Sequence, residues 1–246
     1  MLSPTTAVPR PLTDGRIKTL NNRGFTTSTP DPLSWQFIRF AATCGAEVLD
    51  FGCAYGVAAV PALEAGARVC ACDMDPQHLE IIESVVDPAK RNQLSLVCAK
   101  APEVNFEEQR FGAILSSRVL HFLDGAEVDA TLGKMYRWLR PNGKLFLVTD
   151  TPYAGVLKQY VPEYLDRKAR GERWPGFIAD YAPYMPRGSK NVDPPFINLM
   201  DPDILSDACR RAGVRVEYAE FMPRVAKRED ADPLGRDHVA LIGLRP

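Results

Sequence analysis

Several things are scarce in this chain of 246 residues. Its six cysteines, at positions 44, 53, 70, 72, 98 and 209, never take the Cys-x-x-Cys spacing of zinc or redox sites, so reduced structural thiols and no metal site are expected. Charge of one sign is missing too: the formal net charge is −1 and the lysines and arginines are scattered. Without a basic stripe, nucleic acid is not an expected partner. No apolar run approaches the roughly 20 residues of a membrane helix, and MLSPTTAVPRPL lacks the basic-then-apolar layout of a signal peptide. A cytoplasmic protein with no membrane association is the expectation. No internal repeat or low-complexity tract occurs. Histidines number only three, at 78, 121 and 238, which leaves few side chains that titrate near neutrality.

What is present is a repeating alternation. Residues 1–32 are rich in Pro, Thr and Arg with few apolar anchors and read as an arm without its own core. From Pro32 onward Leu33, Phe37, Ile38 and Ala41 fall at helical spacing. Strands are then expected at 47–51, 68–72, 94–98, 112–116, 144–149, 214–221 and 238–244, with helices near 56–65, 76–85 and 127–139. Alternating strands and helices predict an α/β fold with a doubly wound, seven-stranded, mostly parallel sheet. RPNG at 140–143 should stop the third of those helices and turn the chain. Asp201-Pro202-Asp203 offers an N-cap with proline at the first helical position, and Gly213 a C-cap. The expected organisation is an arm over 1–32 and one domain over 33–246. An excursion over 151–200, dense in Pro, Tyr, Phe and Trp, would form a cap.

The chemistry concentrates in EVLDFGCAYG, residues 47–56. In an open parallel sheet the first strand-to-helix turn sits where ligands bind. Gly52 lets the backbone bend, Ala54 keeps the loop thin, and Gly56 lets the next helix start close to the strand. At the tip of the second strand, in VCACDMD, Asp73 can accept both hydroxyls of a ribose. The loop is not the G-x-G-x-x-G of nicotinamide binders, and Asp50 before the first glycine would repel a pyrophosphate but attract an ammonium group.

With these residues in view, the chain resembles the class I S-adenosylmethionine-dependent methyltransferases. VLDFGCAYG resembles that family's first motif, CACDMD its second-strand acid motif, FGAILSSRVLHFL its fourth-strand segment, and LRPNGKLFLVTD its turn and fifth strand, together covering about 33–150. The resemblance implies S-adenosylmethionine as cofactor, S-adenosylhomocysteine as product, and no metal. It places Asp50, Gly52, Cys53, Ala54 and Gly56 around the methionine and ribose, Asp73 on the ribose diol and Met74 against adenine. Ser116, Ser117 and Arg118 should face the sulfonium end. The chain departs from the family after the third strand, where CAKAPEVNF carries Lys100 in place of an acid; main chain near Ala99 to Ala101 would meet adenine instead.

Transfer needs an aligned nucleophile and, for an acidic acceptor, a base. His121 is the candidate base or a residue lining the site, whereas His78 on a surface helix and His238 at a strand start are set aside. Substrate contacts are expected from Trp35, His121, Tyr153, Trp174, Phe177, Tyr181 and Tyr184, with Trp35 and the threonines of GFTTST helping to close the site. The charge run Arg167, Lys168, Arg170 and Arg173 reads as a solvated face. The expected activity is methylation of N or O on a small, flat or heterocyclic metabolite, azapteridine toxins of the toxoflavin type being one possibility. Protein side-chain methylation and a non-catalytic cofactor-binding module are the alternatives, in a monomer or homodimer.

Overall fold

The computed structural model describes residues 7–184, 194–225 and 229–246. Parts of the arm and of the excursion, residues 1–6 and 185–193, lie outside that range. Eleven strands and six α-helices occur among the described residues. The chain begins with a small hairpin, β1 (Arg16–Lys18) and β2 (Phe25–Thr27), paired antiparallel. Then follow α1 (Pro32–Ala41), β3 (Glu47–Phe51), α2 (Ala59–Glu64), β4 (Val69–Asp73), α3 (Pro76–Val85), β5 (Leu94–Cys98) and β6 (Phe111–Ser117). After them come α4 (Gly125–Trp138), β7 (Leu139–Asp150), α5 (Val161–Ala169), β8 (Phe177–Ile178), β9 (Ile197–Asn198), α6 (Pro202–Arg211), β10 (Arg215–Met222) and β11 (His238–Leu244).

Seven strands form one sheet in the order β10-β11-β7-β6-β3-β4-β5. Only β11 runs against the others, pairing antiparallel with both β7 and β10. The strand order reverses between β3 and β6, which is where an open sheet of this kind presents a crevice. Interior strand β4, VCACD, is buried at every position, as a strand covered on both faces must be. Two apolar layers flank the sheet, one including Leu132, Met135 and Leu205, the other including Leu33, Phe37 and Leu63.

Local chemistry sets the helix starts. Asp31 caps α1 by accepting from Ser34 N–H, with Pro32 in the first turn where its missing donor costs nothing. Asp124 and Glu127 form a reciprocal capping box on α4. Helix α2 is shorter than the sequence suggests: it starts at Ala59, and its leading N–H is accepted by Asp50 Oδ2 at 3.0 Å, so the strand itself caps the helix. Pro61 lies in that first turn, where no intrahelical acceptor is needed.

RPNG does end α4, but without separating it from the next strand. β7 already begins at Leu139, opposite Phe111, and residues 140–143 bulge before Lys144 pairs with Ala113. Asn142 takes a positive φ of 62° in that bulge.

The arm has more structure than its composition promised. Ile17 of the hairpin packs with Tyr55 and Ile81, and the Tyr55 hydroxyl donates to Lys18 O at 2.7 Å. The excursion likewise has its own small core of Leu157, Tyr160, Tyr164, Ile178, Ile197 and Leu199. In α5, Arg167 and Lys168 are ion-paired: Arg167 with Glu172, and Lys168 with Asp201 and Asp203.

Candidate active site

Beyond the carboxyl ends of β3, β4, β6 and β7 lies a cavity of about 530 Å³. The hairpin, with Gly24, Phe25, Thr26 and Thr27, walls one side, and Ala154, Gly155, Leu157, Tyr181, Phe196 and Ile197 of the excursion wall another. Gly52, Ala54, Asp73, Met74, Ala101, Ser117, Arg118, His121 and Tyr181 of the sequence-expected residues line it, with Ala99 and Lys100 beside Ala101. Lys100 pairs with Glu103 at 3.2 Å and is mostly exposed. Asp50 and Cys53 face an adjoining recess of about 30 Å³ that shares Gly52, Ala54, Ser117 and Arg118 with the main cavity. Gly56 and Ser116 line neither. Gly56 allows close packing instead: a Cβ there would meet Val60 at 2.9 Å and Ile82 at 3.0 Å.

Five expected substrate residues are not brought to the main cavity wall. Trp35 is 42% exposed on the outer side of α1, because Leu33, Ser34, Phe37 and Ile38 supply the buried side. Tyr153 packs edge-on against Phe221 and beneath the Arg236 guanidinium. Trp174 lies over Gly125 and under Arg211. Phe177 stacks behind Phe196, and Tyr184 behind Tyr160. Tyr184 packs against the excursion's own small core, whereas Tyr153 and Trp174 seal the excursion onto the main domain, leaving the wall to aliphatic residues, Phe196 and Tyr181.

Asp73 is held from three directions. Oδ2 accepts from Ala54 N–H at 2.8 Å, and Oδ1 accepts from Asp75 N–H at 3.0 Å and from His78 Nδ1 at 2.9 Å. His78 is 1% exposed, so the surface position expected from the sequence is wrong. Leu20 N–H donates to its Nε2 at 3.1 Å, which leaves the proton on Nδ1 and directs it at Asp73. The hairpin segment thus touches the expected ribose acid through one imidazole. Asp50 is buried, and burial pushes its carboxyl up to about 7; nearby Asp73 and Asp31 push the same way, against the Ala59 N–H.

At the opposite end Arg118, His121, Asp150, Arg224 and His238 converge. Burial lowers His121 to about 4, outweighing the attraction of Asp150. Its Nδ1 accepts from Asp150 N–H at 3.3 Å, so the neutral ring carries its proton on Nε2. In that tautomer Nε2–H is a donor, a geometry that favours a lining role for His121 over that of a base. Asp150 stays well below the usual carboxylate range; burial opposes this, and His121, His238 and Arg224 overcome it. His238 Nδ1 lies 2.9 Å from Asp150 Oδ1. Although His238 stands at a strand start, antiparallel register places it directly across from Asp150. Arg224 is held at 2.9 Å by Asp237. Among the described residues no cluster of three or more His, Cys, Asp or Glu is arranged for a metal, all six cysteines are free, and no helix is long and apolar enough to cross a membrane.

Residues 48–143 match the family model described as a methyltransferase domain. Ribosomal protein L11 methyltransferase of Cellvibrio japonicus is 34% identical over 134 residues, covering 52% of this chain and 42% of that protein. The chain spans between 21% and 58% of the length of the curated relatives it matches. An S-adenosylmethionine-dependent methyltransferase from Mesorhizobium loti superposes with a TM-score of 0.61 at 19% identity, over 87% of this chain and 98% of that one. The 1,6-didemethyltoxoflavin-N1-methyltransferase of Burkholderia thailandensis, solved with 1,6-didemethyltoxoflavin and S-adenosylhomocysteine bound, gives 0.56 at 16% identity, over 87% and 78%. At such identities these structures speak for the fold. The match over residues 48–143 identifies a methyltransferase domain there, and the fold that carries it is the one seen in S-adenosylmethionine-dependent methyltransferases.

Proposed function

We propose that this chain binds S-adenosylmethionine and directs its methyl group to a nitrogen or oxygen of a small, flat acceptor. The observation that carries the reading is one continuous cavity with Asp73 at one end and the cluster of Arg118, His121, Asp150 and His238 at the other. Its volume of about 530 Å³ falls within the range typical of small-molecule sites.

The residues present suit the donor. Met74 and the main chain of Ala99 to Ala101 would flank adenine, and Asp73 would accept from the ribose. The bare backbone of Gly52 to Ala54 would carry the methionine part. Asp50, whose carboxyl burial pushes up to about 7, would be favoured in its charged form beside an ammonium group. The donor supplies a sulfonium leaving group; the chain's own task is to orient the acceptor behind the methyl and keep water out. The hairpin and the excursion wall serve the second task, and apolar Val119, Leu157, Phe196 and Ile197 suit a flat ring. A bound 1,6-didemethyltoxoflavin in a structural neighbour supports a heterocyclic acceptor as one instance of this class.

A protein side chain as acceptor is the second reading, and the walls over the cavity argue against it. Incubation with methyl-labelled S-adenosylmethionine and a metabolite extract, read by mass spectrometry, tests the proposal. A labelled small molecule heavier by one methyl is expected. Label found only in protein would transfer the case to the second reading, and no label anywhere would leave a binding module.

A further inference from the structure

We propose that His238, set against Asp150, is the general base of the transfer, and that the acceptor therefore presents an ionisable O–H or ring N–H, as a phenol, an enol or an acidic nitrogen heterocycle does. This rests on the methyl-transfer reading of the same cavity.

The three histidines divide by what their nitrogens already do. His78 spends both, one on Asp73 and one on Leu20 N–H. His121 spends Nδ1 on Asp150 N–H and so presents Nε2–H. His238 differs. Its Nδ1 is enclosed and sits 2.9 Å from Asp150 Oδ1, short but bent away from an ideal hydrogen bond. A carboxylate at that distance keeps the proton on Nδ1 and leaves Nε2 as the nitrogen open to a molecule in the cavity, whose wall His238 helps to form. The placement is held by the sheet, since His238 and Asp150 are direct partners in the register of β11 and β7. Asp150 in turn favours the imidazolium that proton uptake creates, the arrangement of a base oriented by a third group.

The charged and titratable groups around the pair come from four segments: Asp150 at the end of β7, His121 on the turn over 120–122, Arg118 after β6, and Arg224 after β10. Arg224 is engaged by Asp237. Asp150 is itself a poor proton acceptor, being held in the ionised form by these neighbours. His121 is a donor, as shown above. That leaves His238 as the group in the cluster whose ring nitrogen, Nε2, is placed to receive the acceptor's proton.

In the step, His238 Nε2 gains the proton as the acceptor's O–H or N–H bond breaks. The electron pair left on that atom forms the new bond to the methyl carbon, and the pair of the broken C–S bond stays on sulfur. His238 returns its proton to solvent when the products leave, so one proton is released per methyl transferred. A carboxylate acceptor would need no base, and the His238–Asp150 pair would then have no task.

The test uses the full chain labelled with ¹⁵N-histidine, whose three imidazoles are assigned through His78→Gln, His121→Gln and His238→Gln. Long-range ¹H–¹⁵N spectra should show neutral His238 protonated on Nδ1 and His121 on Nε2, and Asp150→Asn should lower the titration midpoint of His238. His238 protonated on Nε2, or a midpoint unmoved by Asp150→Asn, would overturn the proposal. In the extract assay at pH 7, His238→Gln should lose about a hundredfold or more in transfer. It should regain part of this as pH rises and the acceptor ionises by itself, while binding S-adenosylhomocysteine within about twofold of wild type. Transfer at the wild-type rate would also overturn the proposal. Failure of the wild-type protein to bind S-adenosylhomocysteine would instead overturn the methyl-transfer reading, an outcome the spectra keep separate.

Discussion

Gly52→Ala separates two costs that meet in one residue of the loop after β3. Gly52 has φ +79°, a conformation that costs an L-residue ~1–2 kcal/mol. A Cβ there would also stand 2.2 Å from Val119 Cγ2, well inside contact distance, and forcing carbon into packed surroundings costs ~1–3 kcal/mol. The expected loss is the sum, ~2–5 kcal/mol, read from urea unfolding. Gly66→Ala serves as control, because Gly66 has φ +94° with nothing within 4 Å of an added Cβ, and so reports the backbone cost alone. Val119→Ala in the Gly52→Ala background removes the clashing methyl, and the double-mutant cycle should return a favourable coupling of ~1–3 kcal/mol. If Gly52→Ala costs no more than Gly66→Ala and the cycle shows no coupling, the close approach of Val119 to the loop is wrong.

Other outcomes follow from the buried histidines. His121 is lowered from 6.5 to about 4, so its neutral form is favoured by folding. Its contribution is complete above about 6.5 and is lost as pH falls toward 4, worth ~3 kcal/mol over that window. In urea melts from pH 7 to 4, His121→Gln should lose less stability than wild type; parallel profiles would contradict the buried neutral ring. His78→Gln should weaken S-adenosylhomocysteine binding about tenfold in calorimetry, because it frees Asp73 from its fixed position and severs the hairpin contact through Leu20. Unchanged affinity would reduce His78 to a packing residue.

The sheet was legible because its strands carry short-range signals. The apolar run of β4, the cap at Asp201 and the glycine loop after β3 each declare themselves within ten residues. The part of the cavity wall formed by Gly52, Ala54 and Asp73 was readable for the same reason, since these residues sit in contiguous motifs. His78 could have been found: it lies one turn before buried Ile82 on α3, on the face that also takes Leu79. His238 could not. Its partner Asp150 is fixed by the register of two strands separated by the whole excursion and α6, and no local pattern encodes that pairing. The aromatics of the excursion misled for a related reason. Trp174 and Tyr184 have the composition of a ligand wall, but Tyr184 packs against the insertion's own small core and Trp174 fastens the insertion to the main core beside Gly125.

The central claim is that Asp73 and the loop above it hold the methyl donor. Calorimetric titration with S-adenosylhomocysteine tests it most directly, using wild type, Asp73→Ala and Asp73→Asn, each first shown by thermal melting to be folded. The account predicts binding to wild type, a loss of about tenfold or more in Asp73→Ala as charge-assisted hydrogen bonds disappear, and a smaller loss in Asp73→Asn, which keeps one oxygen. Equal affinity in all three proteins, or no binding to wild type, would contradict it.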